Sequence, residues 1–158
     1  MRWPFAQAVT ALAKSDERVV LLMGDVGGGL FSGYAEQFPR RYYNLGTAEQ
    51  SLIGIAAGMA LAGLRPVVYS FTPFILERAY EQIKLDVLQQ RAPVLLAGWQ
   101  DEVHGLTHQS HQAREIIATL RGLPGLYPSS AAEIAPLIAR PDGWPAFLLL
   151  SEEPGKNE

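Results

Sequence analysis

With 158 residues, 48% apolar and only 18% charged against the roughly 25% usual for soluble domains, the chain can bury one ordinary core and presents a surface that favours an obligate partner. A net charge of −3, with acids and bases well mixed, excludes a basic footprint for nucleic acid and a polybasic membrane patch. The absence of cysteine excludes disulfides, thiolate metal sites and a cysteine nucleophile and fits a cytoplasmic protein, and the opening MRWPFAQAVTALAK lacks the pattern of a signal peptide.

In chain order, a helix is predicted from Trp3 to Lys14 and a strand from Arg18 to Met23. The following GDVGGGLFSG carries glycines at 24, 27, 28, 29 and 33, which would let backbone approach a phosphate. Its spacing is not G-x-G-x-x-G, since Ser32 stands where the third glycine belongs, so a flexible loop competes with a dinucleotide site. After a strand from Tyr42 to Leu45, the second helix is expected from Thr47 to Ala62, with Gly46 or Thr47 at its start and Gly63 past its end. Gly54, Gly58 and the alanines around them leave it small or apolar on nearly every face, which predicts burial, either inside the domain or across a subunit interface. The apolar run from Leu52 to Leu64 stops at Arg65-Pro66, short of the ~20 residues that span a bilayer.

Glu49 opens this helix. An acid in a first turn is usually an exposed one favoured by the helix dipole, by ~0.3–1 kcal/mol. The flanking Leu45, Leu52 and Ile53 predict burial instead, and burial raises a carboxyl pKa by up to several units at about 1.4 kcal/mol each. Desolvation outweighs the dipole, which leaves an acid able to hold or share a proton near neutral pH.

A third strand is read from Pro66 to Phe71 and a third helix from Phe74 to Gln90, entered through Thr72-Pro73. Phe71 and Phe74 are core residues by default and a stacking platform for a planar heterocycle by position. A strand from Pro93 to Gly98 leads into GWQDEVHGLTHQSH, where His104, His108 and His111 stand four and three apart. Zinc ligands, surface histidines, and substrate or proton-transfer histidines are all compatible with that spacing. A helix from Gln109 to Leu120, a strand from Gly125 to Tyr127, a helix from Ser130 to Ala139 capped by Ser129-Ser130, and a strand from Ala146 to Leu150 complete the alternation. The pattern predicts an α/β fold, three αβα layers around a mainly parallel sheet, with one domain over 1–150 and a flexible tail over 151–158. Ligands of such sheets sit beyond the carboxyl ends of the strands, where every unusual cluster of this chain falls.

Taken in order, the motifs resemble the pyrimidine-binding domain of transketolase-type, thiamine diphosphate-dependent enzymes. FPRRYYNLGTAEQSLIGIAAGMALAG is similar to the family's stretch through G-x-A-E-Q and its glycine-alanine helix, FTPFILERAYEQ to F-x-x-F followed by R-A-F/Y-E/D-Q, GLTHQ to G-x-T-H-Q, and MGDVGG to the acid-bearing loop after the first strand. The resemblance implies that Glu49 hydrogen-bonds N1′ of the cofactor's aminopyrimidine, promoting the imino tautomer that deprotonates the thiazolium, so that a two-carbon ketol unit passes from a ketose phosphate to an aldose. It places Phe71 and Phe74 against the aminopyrimidine and Asp25 toward the thiazolium, and it gives His108 and His104 to substrate, with His108 also in proton transfer.

Departures accompany the match. Val103-His104-Gly105 replaces the family's frequent E-D-G, Glu77 stands where some members carry an aromatic, and no G-D-G with an asparagine 25–30 residues later is present. The resemblance therefore implies a separate diphosphate-binding subunit holding most of the Mg2+ or other divalent cation, in an α2β2 heterotetramer. Another carboligase, a 2-oxo acid decarboxylase subunit and a non-catalytic scaffolding subunit are the alternatives.

Overall fold

The computed structural model describes residues 1–27, 29–99, 110–140 and 144–151, with 110–113 described by their backbone alone. Short apolar runs form six strands: β1 (Val19–Met23), β2 (Tyr42–Asn44), β3 (Arg65–Phe71), β4 (Leu95–Trp99), β5 (Gly125–Leu126) and β6 (Ala146–Leu150). All pair in parallel, in the order β2-β1-β3-β4-β6-β5, with Leu21 beside Val67, Val67 beside Leu95 and Leu95 beside Ala146. Five-residue runs with no polar member suit this arrangement because successive side chains enter two different cores. Val20, Leu22, Val68 and Leu96 face one core, and Val19, Leu21, Val67 and Leu95 face the other.

Helices α1 (Arg2–Ser15), α2 (Ser32–Gln37) and α6 (Ala131–Ala139) cover the second core. The first is covered by α3 (Glu49–Leu61), by a helical stretch over 74–89 and by α5 (Ser110–Thr119). The chain leaves β1 for β2 through α2 on one face and returns to β3 through α3 on the other. Beyond Met23 and Phe71 the connections therefore diverge, which opens a crevice at the β1–β3 switch point. Among the described residues no helix is long and apolar enough to cross a membrane.

Three local features depart from expectation. Helix α2 forms at the end of the glycine-rich stretch, where no helix is predicted: Leu30, Phe31 and Tyr34 are buried against the second core, and the Tyr34 hydroxyl donates to Val19 O at 3.1 Å. The 74–89 stretch is not a plain α-helix, since a short α4 (Tyr80–Gln82) lies between π-helical turns at Phe74–Arg78 and Ile83–Gln89. Helix α3 starts at Glu49, two residues later than expected, after an Ala48 N-cap that offers no side-chain bond; within the chain Leu52, Ile53, Ala56 and Ala60 are covered while Ile55 is 41% and Leu61 55% exposed. Gly63 ends α3 at φ +92, a conformation only glycine adopts without strain. Ser130 stands at the N-cap of α6 but makes no side-chain bond to its backbone; Glu133 instead accepts from the hydroxyls of Ser129 at 2.6 Å and Ser130 at 3.2 Å.

Candidate functional site

Gly46, at φ +70, turns the chain after β2 and delivers Glu49 into the crevice. The residue is 3% exposed. Its Oε2 accepts from Arg78 Nη1 at 3.3 Å, whereas Oε1 is buried without a hydrogen-bond partner. Leaving such an acceptor unpaired costs about 1–3 kcal/mol, and the guanidinium offsets only part of the cost of burying the charge. Arg78 reaches the carboxylate from the π-helical turn Phe74–Arg78, with its side chain 49% exposed and its guanidinium 3.6 Å from the Phe74 ring centroid. Wide turns of this kind are often found at functional sites. Phe71, at the end of β3, meets Phe74 edge to face, with centroids 5.5 Å apart and an interplanar angle of 77°. A pocket of about 460 Å³ lined by Thr47, Ala48, Gln50, Ser51, Glu49 and Arg78 opens on the outer side of this group.

Across the crevice, Gly24 follows β1, and a Cβ built on it would lie 3.0 Å from Ser70 Oγ and 3.6 Å from Glu49 Oε1. Ser70 and Thr72 are buried at the end of β3, and neither hydroxyl has a partner. Three unpaired buried oxygens thus gather where two strands and one helix end.

Asp25 is exposed, at φ +54, and bound to Asn44: its N–H donates to Asn44 Oδ1 at 3.1 Å and its Oδ1 accepts from Asn44 Nδ2 at 2.9 Å. Asn44 Oδ1 also accepts from Gly46 N–H at 3.0 Å, so one amide ties the loop after β1 to the loop that presents Glu49. The structure brings Glu49 and Phe74 together through Arg78, sets Phe71 on Phe74, and holds Asp25 at the mouth of the crevice. His104 and His108 lie outside the described residues, as does the side chain of His111. Among the described residues no group of three acidic, histidine or cysteine side chains is placed to hold a metal.

Arg78, Asn44 and Ser70 have no predicted role at the site, and Thr72 is predicted only as a helix entry. Arg78 lies in the R-A-Y-E-Q motif, and nothing in the sequence marks a serine inside an apolar strand as a neighbour of Glu49. Chemically, the group offers a dry carboxylate with free lone pairs and two aromatic faces at one sheet edge. That set suits a planar nitrogen heterocycle, whose ring nitrogen would share a proton with the unpaired oxygen.

The sequence pattern of the transketolase pyrimidine-binding domain matches residues 1–152. Similar proteins include a 1-deoxy-D-xylulose-5-phosphate synthase of Heliobacterium modesticaldum, 37% identical over 77% of this chain and 19% of that protein. An uncharacterized transketolase family protein of Sinorhizobium fredii is 38% identical over 93% of this chain and 44% of its own length. The chain thus spans under half the length of these curated relatives. A split-gene transketolase, solved as an inactive β4 tetramer, superposes with a TM-score of 0.85 at 26% identity, covering 96% of this chain and 50% of that one. Transketolase from Leishmania mexicana shares the fold, with a TM-score of 0.82 at 18% identity over 95% of this chain and 25% of that one.

Proposed function

The chain belongs to the transketolase pyrimidine-binding domain family, a family of thiamine diphosphate-dependent enzymes, and from that premise we propose that it forms the aminopyrimidine half-site of a transketolase-like transferase. The observation that carries this is the buried Glu49 carboxyl with one oxygen unpaired beside Gly24, at the edge where Phe71 and Phe74 stand. Thiamine diphosphate, when bound, supplies the nucleophilic carbon that takes up and releases a two-carbon ketol unit. Glu49 presents Oε1 to N1′ and shares a proton there; low polarity around it keeps that exchange away from bulk water. Phe71 and Phe74 flank the ring, Asn44 holds Asp25 toward the thiazolium end, and His104 and His108 meet the sugar.

The diphosphate and its divalent cation, in this reading, are held mainly by a separate partner subunit in an α2β2 assembly. The likeness to a split-gene transketolase supports a separate partner, as does the uncovered face of α3 carrying Ile55 and Leu61. Donor and acceptor are a ketose phosphate and an aldose. The similarity to a 1-deoxy-D-xylulose-5-phosphate synthase favours a second reading, a carboligase whose donor is a 2-oxo acid, because Glu49 would serve either reaction and the loops select the donor. Assays of the assembled enzyme with ketose phosphates and with 2-oxo acids separate the two. Glu49→Gln is expected to abolish turnover with assembly intact; retained turnover would leave a scaffolding role as the better account.

A further inference from the structure

Ser70 is a hydroxyl inside a strand whose other central members, Val67, Val68 and Tyr69, are apolar or aromatic, and it is 0% exposed with no hydrogen-bond partner. An orphaned hydroxyl at such a place costs about 1–3 kcal/mol, so its surroundings need explanation. It is flanked by glycine on both neighbouring strands: Gly24 N–H donates to Tyr69 O at 3.1 Å, and Gly98 pairs with Ser70 in the β3–β4 register. At Gly24 the missing side chain leaves space beside two atoms at once. The point a Cβ would occupy is 3.0 Å from Ser70 Oγ and 3.6 Å from Glu49 Oε1, so the two orphaned oxygens are at most about 6.6 Å apart. A direct hydrogen bond needs about 2.7 Å and a bridge through one water about 5.5 Å. With no direct partner on either oxygen, the bridge is the arrangement that this limit admits, and one water would satisfy both atoms.

We infer that Ser70 is a positioning residue for Glu49: its hydroxyl, through one buried water, donates to Oε1 and fixes the carboxyl that the aminopyrimidine meets. The carboxyl is then held from two sides, by a half-exposed guanidinium on Oε2 and by a fully buried hydroxyl near Oε1. Among the described residues the charged groups around it are few. Arg78 approaches from the 74–78 turn, Asp25 at the end of β1 is bound to Asn44, and Asp86 from the 83–89 turn lies against Gly54, further along α3.

The inference rests on the proposed role of Glu49, and its test separates the two. In the assembled enzyme, thiamine diphosphate is titrated by intrinsic tryptophan fluorescence, with kcat and KM measured beside it, for wild type, Ser70→Ala, Ser70→Thr and Glu49→Gln. Without the bridged donor the carboxyl is free to turn from the ring nitrogen, so Ser70→Ala should weaken cofactor binding about tenfold. Ser70→Thr, which keeps the hydroxyl, should restore it. Unaltered cofactor binding in Ser70→Ala, or a threonine variant as impaired as the alanine one, overturns the inference. Should Ser70→Ala fail to assemble, a high-resolution crystal structure of the wild-type enzyme decides, since the absence of a bridging water overturns it equally. If Glu49→Gln keeps full cofactor affinity and turnover, the functional reading itself falls; if Glu49→Gln is inactive and Ser70→Ala is unaltered, only the present inference does.

Discussion

Gly98→Ala tests the packing that supports the site. Gly98 is buried in β4 between Ser70 of β3 and Leu149 of β6, and a Cβ there would lie 2.5 Å from Phe147 Cζ and 3.0 Å from the Thr72 Cα, besides meeting Thr72 Oγ1. Rotation about the Thr72 side chain relieves the last of these. The other two remain, since one neighbour is backbone and Phe147 is 0% exposed in the core. Overpacking of this kind costs about 1–3 kcal/mol. At roughly 2–4 °C per kcal/mol for a domain of this size, a cost near 2 kcal/mol lowers Tm by about 4–8 °C. Thermal unfolding of the full chain followed by circular dichroism reads this directly. A Tm within about 1 °C of wild type would show that the sheet admits a methyl here and would refute the close packing described around Thr72.

The other predictions use groups away from the cofactor edge. Gly58 is exposed on α3 and a Cβ there meets nothing within 4 Å, so Gly58→Ala should stabilise the chain by about 0.5–1 kcal/mol in thermal unfolding. If α3 docks closely on the partner, the same methyl weakens the complex, which analytical ultracentrifugation of the mixture would register; unchanged association argues against α3 as the docking face. A hydrogen bond from Arg18, supported by Arg65, depresses the Asp16 carboxyl from its usual 3.8 to about 2. A folded-state value below the unfolded one means that this contribution is fully present above about pH 4 and is lost as pH falls toward 2. Urea titrations at pH 5 and pH 2.5 should therefore show a smaller loss for Asp16→Asn than for wild type, and equal losses would contradict the assignment.

Much of the scaffold was legible because burial on both faces of a parallel sheet demands unbroken apolar runs, and all six strands of the described residues lie within two residues of the runs that predict them. Helix α2 escaped because a six-residue helix directly after a glycine-rich loop offers too few turns for a 3.6-residue period; Tyr34 is recognised as a core residue only once Val19 O is seen to receive its hydroxyl. The π-helical turns escaped for a related reason, since the apolar pattern of 74–89 does not distinguish a wide turn from an α-helical one.

At the site the division follows range. Glu49 was identified as a buried acid from its immediate neighbours Leu45, Leu52 and Ile53, since the apolar side chains one turn away on a helix decide whether its first residue is covered. Which groups meet that acid was a matter of tertiary structure alone. Arg78 arrives from 29 residues along the chain through a crossover and a π-helical turn, and Ser70 through the register of β3 against β1. Neither distance has a local signature, because strand order and crossover geometry place residues that no spacing in the chain relates.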